Sequence, residues 1–192
     1  YALLYNGPQS GASAPDHLHF QALPKTSIPA LNEGGEHIRK VREKNGVSLF
    51  KKIDGARTAL LVEGADAKAI AAFIRVLIQA VQRVHPPPPA PMAPPRQSTP
   101  LEQVEPMLNL FCLYGEEGWR VIIFPRRQHR PAAYYKSGEA QILVSPGAVE
   151  MGGVLVLPRE GDYHRLDAAL LMNIFQEISL GEACIDEIVA AL

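Results

Sequence analysis

Up to residue 64 the apolar positions of the chain alternate or run together, and helical spacing starts only after Asp66. Residues 2–5, Ala-Leu-Leu-Tyr, read as a strand. The runs 47–53 and 58–62 flank Asp54-Gly55, a turn signal for a hairpin. A second hairpin is expected from 107–114 and 119–124, which enclose Gly115-Glu116-Glu117-Gly118, and shorter apolar runs at 141–144 and 154–157 predict two further strands. Between 67 and 84 the period changes. Ile70, Phe73, Ile74, Leu77, Val81 and Val84 share one face of a helix, with Lys68, Arg75, Gln79 and Arg83 on another, and Asp66 stands where its carboxylate can cap the first turn. Asp162 is read the same way, as the cap of a helix reaching about Ser179 that buries Tyr163, Leu166, Leu170, Ile174 and Ile178. Gly181 ends it, and Ile185, Ile188, Val189 and Leu192 form a short last helix.

The order strands, helix, break, strands, helices gives an α+β fold class, with an antiparallel sheet and helices packed on one side. The break is the run from His85 through Pro94 and Pro95, whose successive prolines remove backbone donors and favour an extended form. It divides the chain into a first unit, 1–85, a Pro-rich linker or loop, 86–100, and a second unit, 101–192. Residues 24–35 read as a loop. The charged run 37–44 reads as a solvated segment.

Composition narrows the function classes. The chain has 192 residues, 47% of them apolar, which is enough to bury a core. Its 19 basic and 20 acidic residues leave a net charge of −1, so no general affinity for nucleic acid or a membrane surface is implied. Cys112 and Cys184 sit among apolar neighbours and fit reduced core thiols, and no cysteine-based metal site is visible. No apolar run approaches membrane-spanning length and no charged-then-apolar leader opens the chain, so a cytoplasmic location is expected.

The residues with the strongest chemical signal lie between Asn6 and Gln21. His17, His19 and Gln21 alternate with Leu18 and Phe20, so a strand would carry the three polar side chains on one face. Just upstream, a loop rich in Gly, Ser and Pro offers backbone N–H groups to an anion. Neutral imidazole is a competent nucleophile near neutral pH, because its unperturbed pKa is about 6.5. Attack on an α-phosphorus gives a phosphoramidate and divides one difficult displacement into two easier ones. His19, with Gln21 one strand-step beyond and His17 one before, is the better nucleophile. Gln21 would donate to a non-bridging phosphoryl oxygen. Ser13 and the amides of Gly11, Ala12 and Ser13 would neutralise the charge that develops as the leaving group departs.

H-x-H-x-Q, preceded by Asn6-Gly7 and by Gly11-Ala12-Ser13-Ala14-Pro15, resembles the active-site signature of the histidine-triad superfamily, in its transferase branch. That branch holds galactose-1-phosphate uridylyltransferase, diadenosine tetraphosphate phosphorylase and GDP-hexose phosphorylases. The resemblance implies His19 as the residue that carries the nucleotidyl group, His17 and Gln21 as supporting contacts, and Ser13 and Asn6 as phosphate or substrate contacts. It also implies a duplicated half-barrel architecture, of which 1–85 would be the remnant of a first unit. The rest of that unit would come from upstream of Tyr1 or from another chain, or the protein would pair as a homodimer. Asp16 looks like an insertion relative to the uridylyltransferase motif, and without a C-x-x-C no zinc role passes to His17.

Three arginines and a histidine crowd into residues 126–130 at a strand exit. Guanidinium forks match phosphate oxygens, so Arg126, Arg127 and Arg130 are expected to hold a leaving or accepting phosphate. Phe124-Pro125-Arg126-Arg127, with His129-Arg130-Pro131, also resembles the phosphorylase-like relatives, as does 145–153. In that second stretch Glu150 is either a substrate contact or a plain turn carboxylate. The expected activity is nucleotidyl transfer or phosphorolysis on a nucleoside polyphosphate or nucleotide sugar, with phosphate or a sugar phosphate as acceptor. No resident cofactor is implied, and Mg2+ would arrive with the nucleotide. The alternatives are a hydrolase using the same covalent step, which Gln21 in place of a third His opposes, and a non-catalytic nucleotide-binding or interaction subunit.

Overall fold

The computed structural model describes residues 1–12, 18–31, 37–86 and 105–192. Its frame is a seven-stranded antiparallel sheet in the order β2-β1-β6-β7-β5-β4-β3, which does not close into a barrel. The strands are β1 (Ala2–Asn6), β2 (Phe20–Leu23), β3 (Ile38–Lys44), β4 (Val47–Asp54), β5 (Arg57–Gly64), β6 (Leu108–Gly115) and β7 (Gly118–Pro125). Both expected hairpins form, β4 with β5 and β6 with β7. The strands that follow the Pro-rich stretch are inserted between strands that precede it, because β6 pairs with β1 and β7 with β5. The stretch itself, over residues 87–104, lies outside the described residues.

The middle strands are apolar on both sides of the pleat, so both faces of the sheet need cover. On one face Leu49, Leu60, Val62, Val121 and Ile123 pack with Leu77 and Val81 of α1 (Ala67–Val84) and with Ile185 and Ile188 of α6 (Glu182–Ala190). On the other, Leu4, Leu61, Phe111, Ile122 and Phe124 pack with Met151 of α3 (Ala148–Met151) and with Phe175 and Ile178 of α5 (Ala168–Ile178). Helices therefore cover both faces rather than one. Helix α1 has the expected bounds, and the Asp66 carboxylate accepts the Lys68 and Ala69 amides at 3.2 and 3.0 Å. Among the described residues no helix is long and apolar enough to cross a membrane.

Three expectations give way. The charged run 37–44 is the edge strand β3, turned back on β4 by Asn45-Gly46, both at positive φ (53° and 74°), the backbone a two-residue hairpin demands. Its exposed Arg39, Lys40, Glu43 and Lys44 are the charges an unpaired sheet edge carries against unwanted strand addition. Residues 141–144 and 154–157 join no sheet, and in the first of them the Leu143 amide donates to the buried Asp162 carboxylate at 2.8 Å instead of to a neighbouring strand. The helix expected from Asp162 to Ser179 is two, α4 (Glu160–Arg165) and α5, because Asp167 accepts the Leu170 amide at 2.7 Å and starts a new helix. Tyr163 consequently points outward, 68% exposed.

Helix α6 is fastened to the sheet by polar contacts as well as apolar ones. Lys51 on β4 is 3% exposed, and its ammonium meets Asp186 at 2.5 Å and Glu182 at 3.0 Å, while Thr58 Oγ1 donates to the Leu180 carbonyl at 2.5 Å. The hydrogen bond to Asp186 leads the effects that raise the Lys51 pKa above its ordinary value, against the opposing cost of burial. A folded value above the unfolded one makes this contribution complete below about pH 10.4 and lost as pH climbs past the folded value. The double substitution Glu182→Gln with Asp186→Asn strands the ammonium. Discounting for the half-exposed carboxylates, it is expected to lower the unfolding free energy by about 1–3 kcal/mol in urea titrations. An unchanged midpoint would show that Lys51 is not held by these partners.

Candidate active site

Immediately after β7 the chain turns Arg126 inward, where it is fully buried. A guanidinium has five N–H donors in a fixed fork, and here each finds an oxygen. Nε donates to the Ile178 carbonyl at 3.2 Å, Nη1 to Asn109 Oδ1 at 2.6 Å and the Pro146 carbonyl at 2.8 Å, and Nη2 to the Gln128 and His129 carbonyls at 3.3 and 3.1 Å. Burial pulls its pKa down, to about 9, and the nearby charge of Glu150 opposes that shift. With every donor spent on protein oxygens, Arg126 has none for a phosphate. Its expected role as a phosphate contact is replaced by a structural one.

Asn109 on β6 passes this anchoring to the candidate phosphate loop. Its amide donates to Asn6 Oδ1 and to the Ser10 carbonyl, both at 2.7 Å. Asn6 Oδ1 also accepts the Ala148 amide at 2.6 Å, so the Asn6 acceptor holds the start of α3 rather than facing a ligand. The loop is short of slack. Gly7 donates to the Leu108 carbonyl at 3.0 Å, Ser10 to the Gly7 carbonyl at 2.9 Å, and Gly11 to Nδ1 of His129 at 3.1 Å. Gly11 has φ +80° and lies so close to the 145–147 turn that a Cβ there would be 2.0 Å from the Pro146 carbonyl oxygen. The Gly11 amide, expected to face an anion, is thus bound to an imidazole, and Ala12 beyond it is buried.

Ser13 and His17 lie outside the described residues. His19 is half-buried between the exposed Leu18 and Phe20, and β2 begins only at Phe20, so Gln21 lies on the strand and His19 just before it. Gln21 is opposite Leu4 in the β1–β2 register, which sets it on the sheet face that carries α3 and the Asn6 side chain. Phe20 turns to the other face and packs on Tyr5, ring centroids 5.5 Å apart.

The basic run separates into different directions. Arg127 is exposed, and its charge falls beside Cys184 of α6, where it opposes the burial that raises that thiol. It is not brought to the loop. Arg130 is half-buried on the loop side. Its Nε donates to Ser145 Oγ at 2.8 Å and its guanidinium lies over the Tyr134 ring, 4.4 Å from the centroid. Arg130 is therefore the arginine of the run held beside the 145–147 turn that meets the loop. Glu150 accepts the Gly147 amide at 2.8 Å, and burial pushes its pKa up while backbone amides and the Arg126 charge oppose that shift, so it clasps its own turn. His129 was not singled out from the sequence. Its signal is its place in the basic run, where burial first and then the charges of Arg130 and Arg126 disfavour the imidazolium. Among the described residues no group of three or more His, Cys, Asp or Glu could hold a metal ion.

Comparison with known families bears on both ends of this arrangement. Residues 99–192 match the family model described as GDPGP1-like, C-terminal domain, which fits a GDP-hexose phosphorylase-like family. Residues 1–24 match a domain of unknown function, DUF4922. No curated protein and no solved structure matches the chain.

The Arg126 anchor gives a direct test. Arg126→Lys offers three donors to five acceptors and leaves at least two buried oxygens unmet, so a loss of about 3 kcal/mol or more in unfolding free energy is expected. A loss below about 1 kcal/mol would mean that water replaces the missing donors. Gly11→Ala is expected to destabilise as well, through positive φ and the Pro146 clash, with the loss of order reported by faster amide exchange across 7–12.

Proposed function

We propose that the protein is a phosphorylase that transfers the nucleotidyl group of a GDP-hexose to inorganic phosphate through a covalent nucleotidyl-His19 intermediate. The family match over 99–192 supports a phosphorylase-type reaction on a nucleotide sugar. The observation that carries the reading to this chain's own residues is the contact of that matched segment with the loop before H-x-H-x-Q, made by Gly11 on His129 and Pro146.

In the first step an imidazole nitrogen of His19 attacks the α-phosphorus. The P–N bond forms, the bond from the α-phosphorus to the bridging oxygen breaks, and the hexose 1-phosphate departs. In the second step phosphate attacks the same phosphorus, the P–N bond breaks, and the nucleoside diphosphate leaves with His19 restored. His17 and Gln21 flank the nucleophile. Gln21 donates its amide to a non-bridging oxygen, and Ser13 with the backbone at Ala12 takes up developing negative charge. Arg130 is the guanidinium offered to the leaving hexose phosphate or to the incoming phosphate, steadied by Tyr134 and Ser145.

The test is chemical. With GDP-hexose labelled at the α-phosphorus, acid-labile label is expected on His19 after denaturation, and His19→Gln should carry none and lose roughly a thousandfold or more in turnover. Label that persists in His19→Gln would refute the intermediate. Phosphate-dependent release of nucleoside diphosphate is the expected product, whereas release of the monophosphate without phosphate would make water the acceptor and the enzyme a hydrolase.

A further inference from the structure

His129 takes no part in the transfer steps above, yet its ring is tied to the loop that precedes H-x-H-x-Q. Its carbonyl and that of Gln128 are held by Arg126, and Pro131 leads directly into α2 (Ala132–Tyr135). Nδ1 accepts the Gly11 amide at 3.1 Å, across 118 residues of sequence. An imidazole nitrogen accepts only through a bare lone pair, so the ring is neutral and its proton is on Nε2. Among the described residues the charged groups acting on the ring are cations, Arg130 from its own segment and Arg126 from the end of β7. The loop 7–12 and the turn 145–148 bring no ionisable side chain. Desolvation, Arg130 and Arg126 hold the imidazole below its ordinary value, and the backbone of Gln9 opposes them.

We propose that His129 is the positioning residue of the phosphate loop: its neutral imidazole, through the Gly11 amide, sets where the 7–12 backbone stands when a nucleoside diphosphate binds. The role in binding rests on the transferase reading above. The hold on Gly11 does not. Protonation would put an N–H at Nδ1 against the N–H of Gly11, two donors face to face, and the loop would be released. The folded ring resists the proton more than an unfolded one, so the unfolded chain protonates first as pH falls below about 6.5, and both loop order and stability decline toward acid.

The experiment uses the full chain, with GDP as the probe. GDP affinity is measured by calorimetry between about pH 8 and pH 5, alongside the 15N resonance and exchange rate of the Gly11 amide. In the wild type, the Gly11 resonance should titrate and GDP affinity should fall together toward acid. His129→Asn keeps an acceptor near the Nδ1 position without a titrating group, so GDP affinity should stay within about threefold of wild type at pH 8 and lose the acid-side fall. His129→Leu has no acceptor and should bind GDP about tenfold more weakly at every pH, the cost of one hydrogen bond, with faster Gly11 exchange. Wild-type affinity and Gly11 exchange in His129→Leu would overturn the proposal, as would an acid-side fall that survives in His129→Asn or a wild type that does not bind GDP. The Gly11 amide reports on His129 whether or not label reaches His19, so the two readings fail separately.

Discussion

One buried cation sets the conditions that the rest of this site meets. A guanidinium removed from water is tolerated only where oxygen atoms replace its hydration, and Arg126 needs five of them in one plane. They come from the end of α5, from β6, from the 145–147 turn and from the chain that follows β7. Four separate pieces of backbone and side chain must therefore converge before the charge is satisfied. The position of each is fixed by the others.

Asn109 extends the same constraint by one step. Its oxygen serves Arg126 and its nitrogen serves Asn6 and Ser10, so the loop after β1 is aligned by a residue two strands from the sheet edge. Asn6 then holds α3, and Gly11 closes the circuit on His129. The consequence for chemistry is preorganisation. A loop meant to meet a phosphate works best when its backbone is in place before the ligand arrives, because the ordering cost has then been met in folding.

Much of the fold was legible because periodicity and turn chemistry agreed. The β4–β5 and β6–β7 hairpins and the bounds of α1 follow from apolar spacing, Gly-containing turns and the Asp66 cap. Strand β3 was hidden by charge, since an edge strand and a solvated loop look alike until the Asn45-Gly46 turn is given weight. Residues 141–144 have strand composition, but the Ile142 and Leu143 amides go to Ala133 and Asp162 rather than to a strand, which no local pattern reveals. At the site the difficulty was direction. The run 126–130 announces positive charge, but whether a guanidinium faces inward like Arg126, outward like Arg127 or toward the loop like Arg130 depends on oxygens that the fold brings in from other elements, as far off as Ile178. His129 was overlooked for the same reason, its partner being an amide near the other end of the chain.

The strand order also governs how this molecule comes into being. Strand β1 has no permanent neighbour among the early residues except the short β2. Its main partner is β6, with Leu4 opposite Phe111. On the ribosome β1 leaves before its main partner, and the edge that β6 will cover stays unpaired until the β6–β7 hairpin has emerged. Such distant pairing slows folding, because a long loop of chain has to be closed before any contact rewards it. The segment that carries His19 is thus synthesised before the strand that orders its neighbour, and a chain interrupted before residue 126 lacks the cation around which the loop is fixed.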